Sequence, residues 1–436
     1  MELNNKKVIN AWAMYDWANS VYSLVIISTI FPIYYNSSTS EFAGSDLIEF
    51  FGIKIVNSVL YEYALSFSFL SIALILPLLS GMADYSGRKK MFMKIFAYLG
   101  GVSCIGLYFF DGSNVELGII LSIMASIGYS GSLVFYDAFL PEIASVDRYD
   151  MVSAKGYSLG YFGSVLLLVL NLVMLASPET FGLSGAGMAA KVSFLLVGVW
   201  WIGFAQIPFY YLPKNVYNKP SSVHILKHGY LEIIRVWNEL KGLKMTRRFL
   251  LAFFFYNMGV QTVMYLAALF GDKELKMEGA KLIQTVLIIQ IVAIGGSYLF
   301  AYISRLKGNR FSLVLQVIIW ILICISAYYV QSENQFYLLA FVVGMVMGGI
   351  QALSRATYSK LIPVNTISHA SYFSFYDVTF NVSVAIGTFT YGLIEQITGS
   401  MRNSALALAV FFVIGLIFLT SVKVTEQKIP ESASAN

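Results

Sequence analysis

The chain alternates between long apolar runs and short polar breaks. A bilayer-crossing helix needs roughly 20 mostly apolar residues, and twelve stretches meet that length. They fall near 15–36, 60–81, 91–110, 116–138, 153–176 and 192–212, then near 248–270, 281–304, 311–330, 336–356, 370–394 and 404–422. The fourth, rich in Gly and Ser, reads as the weakest by hydropathy. Between the two sets of six lies a polar segment, 213–247. Within it Ile225, Leu226, Ile233, Ile234 and Trp237 recur at near-helical spacing among Lys and Arg. That pattern predicts an amphipathic helix over 223–243, lying on the inner membrane surface. The expected class is an all-α membrane protein of twelve transmembrane helices in two six-helix, pseudo-symmetric bundles. Its units are 1–212, a basic cytoplasmic linker 213–247, and 248–436 with a short cytoplasmic tail.

Composition supports lipid as the solvent. Of 436 residues, 58% are hydrophobic and only 12% charged, against about a quarter charged in soluble domains. The mean hydropathy is +0.70. No cleavable leader is expected, because the first apolar run is long enough to stay in the membrane. Cys104 and Cys324 sit in apolar runs without metal-site spacing. The net charge of +5 could suggest nucleic acid, but its distribution argues otherwise. With the N-terminus inside, 23 of the 29 Lys and Arg fall in inner segments and 6 in outer ones. Positive residues favour the cytoplasmic side, so both termini are expected there. The surplus charge then faces anionic lipid.

The halves carry matching features in matching order. Tyr15-Asp16 corresponds to Tyr256-Asn257, the basic loop after the second span to Ser304–Arg310, Cys104 to Cys324, and Pro141 to Pro363. Such repetition is the signature of a transporter built from structural repeats.

One motif is sharper. Gly81-x-x-Asp84-x-x-Gly87-Arg88-Lys89-Lys90 resembles the loop signature of the major facilitator superfamily, with Tyr85 where a second Arg is usual. Gly81 allows close helix approach. Asp84 can sit at a helix terminus and pair with a base. Arg88 can bridge to a second carboxylate, for which Asp137 is the candidate. Gly81, Asp84, Gly87, Arg88, Asp137 and Arg355 are therefore the expected cytoplasmic gate.

Three further strings are Trp12-Ala-Met-Tyr15-Asp16-Trp17-Ala18-Asn19-Ser20, Gly156-Tyr-x-x-Gly160-Tyr161-x-Gly163 and Gly348-Gly349-Ile-Gln351-Ala-Leu-Ser354-Arg355. With Tyr256-Asn257-Met258-Gly259-Val-Gln261, the chain resembles bacterial major facilitator proteins related to the autophagy-linked vacuolar amino-acid effluxers of fungi. The resemblance runs from Trp12 to about Gly392. It implies a secondary transporter of the bacterial inner membrane that exports small organic solutes, neutral amino acids being the most concrete guess. Relatives often carry an acid where Met258 stands here.

Polar groups in a span tend to face the bundle interior. Asp16, Asn19 and Ser23 share one face of the first span; Asn257 and Gln261, and Asp377 and Asn381, are each four apart. In this superfamily the first, fourth, seventh and tenth spans line the cavity. Tyr15, Asn19, Tyr22, Asn257, Gln261, Gln351, Tyr376 and Asn381 are the expected substrate contacts. Asp16 and Asp377 are the candidates for proton coupling, the alternatives being a helix cap or a pair with Arg355. Most other aromatics read as interfacial anchors. His224, His228 and His369 form no catalytic or metal arrangement, and no GxxxxGK[ST] loop occurs. No enzyme activity, cofactor or nucleic-acid partner is expected. The expected partners are the lipid bilayer, a small-molecule substrate and protons, with the chain acting as a monomer. The competing reading is a non-transporting sensor or lipid-handling protein on the same scaffold.

The charge distribution yields a topological prediction. In intact cells Lys191→Cys is expected to react with a membrane-impermeant maleimide, and Lys428→Cys only after lysis. The reverse pattern would overturn the orientation.

Overall fold

A computed structural model describes residues 3–214, 225–363 and 365–424. His224, most of the residues before the linker helix and the C-terminal tail lie outside them. The architecture is helical. The first span comprises α1 (Lys6–Tyr22), a π-helical turn (Ser23–Ile27) and α2 (Ile30–Ala43). It is longer than the expected 15–36 and is broken. The broken turn leaves carbonyls without helical partners. Ser28 Oγ donates to Ser23 O at 2.9 Å, and Thr29 Oγ1 to Leu24 O at 2.6 Å, which satisfies part of the loss. A hairpin follows, β1 (Leu47–Phe50) and β2 (Ile53–Val56), with Leu47 opposite Val56. Its two-residue turn, Phe51-Gly52, has positive φ at both positions, as tight hairpins need.

The remaining helices are α3 (Asn57–Ser86), α4 (Lys89–Gly106), α5 (Val115–Asp137), the short α6 (Leu140–Ile143), α7 (Tyr149–Ala176), α8 (Ala186–Tyr211), α9 (Ile225–Gly242), α10 (Lys244–Leu275), α11 (Gly279–Lys307), α12 (Asn309–Tyr329), α13 (Glu333–Leu361), α14 (His369–Thr398) and α15 (Met401–Thr420). Among the described residues, ten helices are long and apolar enough to cross a membrane, eleven with the bent α10. The count of twelve is therefore not reached on length and composition. The helix that falls short is α14, not the fourth span. Its 30 residues reach about 45 Å, but Asp377, Asn381 and many Ser, Thr and Tyr dilute its apolar character.

Within residues 6–211, α1 packs on α7 and α8, and α4 on α5 and α8. Within residues 244–420, α11 packs on α13, and α15 on α10 and α12. The two sets meet where α7 contacts α11 and α13, and where α14 contacts α3 and α5. Aromatic and aliphatic side chains fill both interiors, with Trp12, Trp201 and Trp320 fully buried.

The linker helix α9 does more than lie on a surface. It packs against α3 and also touches α10 and α14. The crossing with α3 is close: a Cβ on Gly81 would stand 2.3 Å from Gly229 O. Arg235 donates to Ser368 Oγ at 2.6 Å, and Tyr372 OH to Glu239 Oε2 at 2.7 Å, so α9 also holds the start of α14. Leu226, Tyr230 and Trp237 stay exposed along its other side. His228 is stacked on Tyr85, rings 4.4 Å apart. Gly87 ends α3 at φ +70°, the left-handed conformation glycine favours.

Gly81→Val is expected to overpack the α3–α9 crossing and lower stability by about 1–3 kcal/mol, measured as a fall in thermal unfolding temperature of the purified protein. A wild-type value would contradict that crossing.

Candidate transport site and gate

The centre of the site is a buried arginine. Arg355, on α13, is 1% exposed. Its Nη1 donates to Asp137 Oδ1 at 2.9 Å and its Nη2 to Asp16 Oδ2 at 3.3 Å. Nε donates to Ser153 Oγ at 2.9 Å, and Nη2 also to Ser153 O at 3.0 Å. Tyr136 OH adds a 2.8 Å bond to Asp16 Oδ2. The guanidinium lies 4.7 Å from the centre of the Trp12 ring and 4.3 Å from that of Tyr157, within cation–π range. Four helices supply these groups: α1, α5, α7 and α13. Gly156 makes the approach feasible, because a Cβ there would stand 2.4 Å from Asp16 Oδ2.

Three more contacts join the two sets of helices at this end. Asp150 accepts from Lys360 Nζ at 2.9 Å, Ser304 Oγ at 2.9 Å and Asn309 Nδ2 at 2.8 Å. Asp84 accepts from the backbone N–H and hydroxyl of Ser371, both at 2.7 Å, and from Ala370 N–H at 3.3 Å. It thus caps α14 across the interface, where the helix dipole favours an anion. Glu142 pairs with Lys89 and lies 3.1 Å from His369 Nδ1. Deeper in, Ser158 Oγ donates to Ile294 O at 3.0 Å and Tyr161 OH to Gln351 Oε1. Among the described residues, every hydrogen bond between residues 6–211 and 244–420 lies on this side of the cavity or at its floor. The end bearing the termini is closed.

Above this floor a cavity lies between the two sets of helices. Asp16, Asp137, Arg355, Asn257, Gln261, Gln351, Tyr376, Asp377 and Asn381 line it, and it extends to Ser28, Phe69 and Val343. Asn257 Nδ2 donates to Ser383 Oγ at 2.7 Å, and Gln261 Nε2 to Asn257 Oδ1 at 3.2 Å. The polar wall of α10 is therefore tied to α14.

The comparisons with known proteins agree with this architecture. Residues 4–431 match the model of the family described as vacuole effluxer Atg22 like. The chain belongs to the Atg22-like family. It is 30% identical to an uncharacterized MFS-type transporter, YxiO, of Bacillus subtilis (strain 168), over 96% of this chain and 97% of that protein. It is 25% identical to autophagy-related protein 22 of Pichia angusta, over 80% of this chain and 72% of that one. Solved structures with the same fold include the major facilitator transporter FucP in an outward conformation (TM-score 0.70, 13% identity, 96% of this chain and 98% of that). Another is the human organic anion transporter MFSD10 (TM-score 0.71, 11% identity, 96% and 100%). This Atg22-like chain is thus a multi-pass membrane transporter of the major facilitator type, and its relatives are transporters rather than enzymes.

Several expected site residues stand elsewhere than the sequence suggested. In this Atg22-like chain Asp137 meets Arg355, not Arg88. Arg88 occupies the position before α4 and makes no ion pair among the described residues. The turn at Gly87 leaves Arg88 at the rim, while Asp137 ends α5 inside the bundle. Gly81 serves the α9 crossing. Tyr15, Asn19 and Tyr22 do not line the cavity. Tyr15 packs on Tyr136 and Phe209, Tyr22 on Tyr129 and Trp201, and Asn19 is 1% exposed. The stripe 15/19/22 faces α5 and α8. The neighbouring stripe Asp16, Ser20, Ser23 faces the cavity. Both follow the same helical spacing.

Sequence reasoning missed Asp150, Glu142, Ser153, Tyr157, Tyr161 and Gln290. Only Tyr157 and Tyr161 carried a signal, inside the glycine-rich string of α7.

Arg355→Ala would strand two buried carboxylates. A loss of about 3–5 kcal/mol in stability is expected, with partial recovery when Asp137→Asn is added. Denaturant titration of the single and double variants checks this; additive losses would contradict the coupling.

Proposed function

We propose that this transporter exports a small organic solute by alternating access, with a neutral amino acid as the first candidate and protons as the coupling ion. It does so as a monomer in a bacterial cytoplasmic membrane, with the termini and the closed gate on the cytoplasmic side. The observation that carries the reading is the buried Arg355–Asp16–Asp137 cluster at the floor of a cavity between two sets of helices. Such a cluster is cohesive when assembled and can be broken only by separating its charges, which is how a two-state gate behaves. With the termini inside, the closed floor makes this an outward-facing state on the proposed reading. In the inward-facing state Arg355 and Lys360 leave with one set of helices, while Asp16, Asp137 and Asp150 stay with the other.

Uncharged polar groups outnumber charges along the cavity, which suits a small solute better than a polyanion. The description of the family as effluxers supports the direction. The two coupling candidates differ in engagement. Asp16 is occupied by Arg355 and Tyr136, whereas Asp377 Oδ2 has no hydrogen-bond partner. Asp377 is therefore the stronger candidate, because its protonation state can change without dismantling the gate.

Counterflow of labelled amino acids in proteoliposomes tests the reading. Saturable exchange is expected for at least one neutral amino acid; a broad panel without flux would sink the proposal. In the same assay Asp377→Asn is expected to lose the dependence of flux on a pH gradient. Full retention of that dependence would remove Asp377 as the proton carrier.

A further inference from the structure

Four charged side chains line the cavity: Asp16, Asp137, Arg355 and Asp377. Three are acids and one is a base. The base is engaged by two of the acids, and four of the five N–H donors of a guanidinium go to Asp16, Asp137 and Ser153. Asp377 is left without a counter-charge. Its residue is 7% exposed, and its Oδ2 is buried with no hydrogen-bond partner.

One turn along the same face of α14 stands Asn381, 2% exposed. Its Nδ2 donates to the backbone carbonyl of Asp377 at 2.8 Å. That bond fixes the orientation of the amide and leaves Oδ1 as an acceptor, which also has no partner. Two buried acceptors without partners, one on an acid, thus belong to residues that line the cavity. An unsatisfied buried acceptor is costly, and a charged one more so. A ligand that brings N–H donors and one positive charge would remove both costs.

The surroundings suit an organic cation. Tyr376 and Phe380 flank Asp377 on α14, and Tyr157 and Phe253 line the same cavity. Aromatic faces attract ammonium groups. A bare metal ion is a poor match: two oxygens fall short of the six to eight that hard cations take, and among the described residues no group of three His, Cys, Asp or Glu could hold one. A carboxylate is no better served, because among the described residues the base that lines the cavity is Arg355, already paired with two acids.

We infer that Asp377 and Asn381 form the docking point for a primary ammonium group of the cargo, and that a carboxylate on the cargo is dispensable. This rests on the transport reading above and narrows it: the recognised element of an amino acid is its amine. A primary ammonium has three donors, enough for Asp377 Oδ2 and Asn381 Oδ1 with one to spare.

The test uses the purified full-length protein and ligands matched in their tails: L-leucine, 3-methylbutylamine, N-acetyl-L-leucine and 4-methylpentanoate, with equivalent sets for aromatic and linear tails. Binding is read by calorimetry. In at least one set the amino acid and the simple amine are expected to bind, and the N-acetyl and des-amino members are not. Asp377→Asn is expected to weaken both amines about tenfold or more, since it removes a charge-assisted bond, and Asp377→Glu to recover part of the loss. The ligand-free melting temperature of Asp377→Asn should stay at or above wild type, because Asp377 Oδ2 has no hydrogen-bond partner to lose. N-acetyl or des-amino members binding as well as the amines would overturn the inference. So would wild-type affinity in Asp377→Asn, or no binding by any amine in the three sets. Asp377-dependent amine binding without counterflow would leave the site standing and defeat the transport reading. Counterflow of solutes lacking an amine would do the opposite.

Discussion

Everything at the closed end depends on one guanidinium held out of water. Burying an isolated charge is prohibitively expensive, so Arg355 exists where it does only because Asp16 and Asp137 meet it, Ser153 fills two more donor directions and aromatic rings cover its faces. Asp16, Asp137 and Ser153 each come from a different helix. The interaction therefore dictates how α1, α5, α7 and α13 approach one another, and it requires Gly156 at the point where Asp16 would otherwise collide with α7.

Under the proposed alternating access, the same arithmetic would make the gate bistable. When the halves separate at this end, the two carboxylates remain on one side and the arginine leaves with the other. Each is then stable only if water reaches it. A partly opened gate would have broken ion pairs without solvation, the least favourable condition for a charge. The outer contacts repeat the design: Asp150 with Lys360, Asp84 with the start of α14, Glu142 with Lys89 and His369. The linker helix α9 contacts both α3 and α14, so it spans the joint that must move.

The cavity above the floor has the opposite character. Its groups are not fully paired. Asp377, Asn381 and Gln290 each present an acceptor atom without a partner, and they lie where a solute would sit. On the proposed reading this contrast has a use: the gate is satisfied in the absence of cargo, and the binding wall would be satisfied only in its presence.

The sequence by itself determined the solvent and the family. Apolar runs of about 20 residues, the uneven distribution of Lys and Arg, and the strings around Asp16, Gly156 and Arg355 are local properties, and local properties are what a linear chain displays. It also marked the chemistry of the site, naming Asp16, Asp137, Asp377, Asn381 and Arg355. It offered Arg355 as one partner for Asp16, a pair the structure contains, but it assigned Asp137 to Arg88. Arg88 looked like the partner of Asp137 because both lie near the same loops, but the turn at Gly87 points the chain elsewhere and Arg355 arrives from more than two hundred residues away. Nor could it choose between the 15/19/22 and 16/20/23 stripes of α1, since both repeat at helical spacing and both carry polar groups. Which stripe faces solvent-filled space is set by the helices that pack on the other one. Asp150 and Glu142 looked like ordinary loop acids for the same reason: their partners are distant in sequence, and only the packed bundle brings the charges within reach.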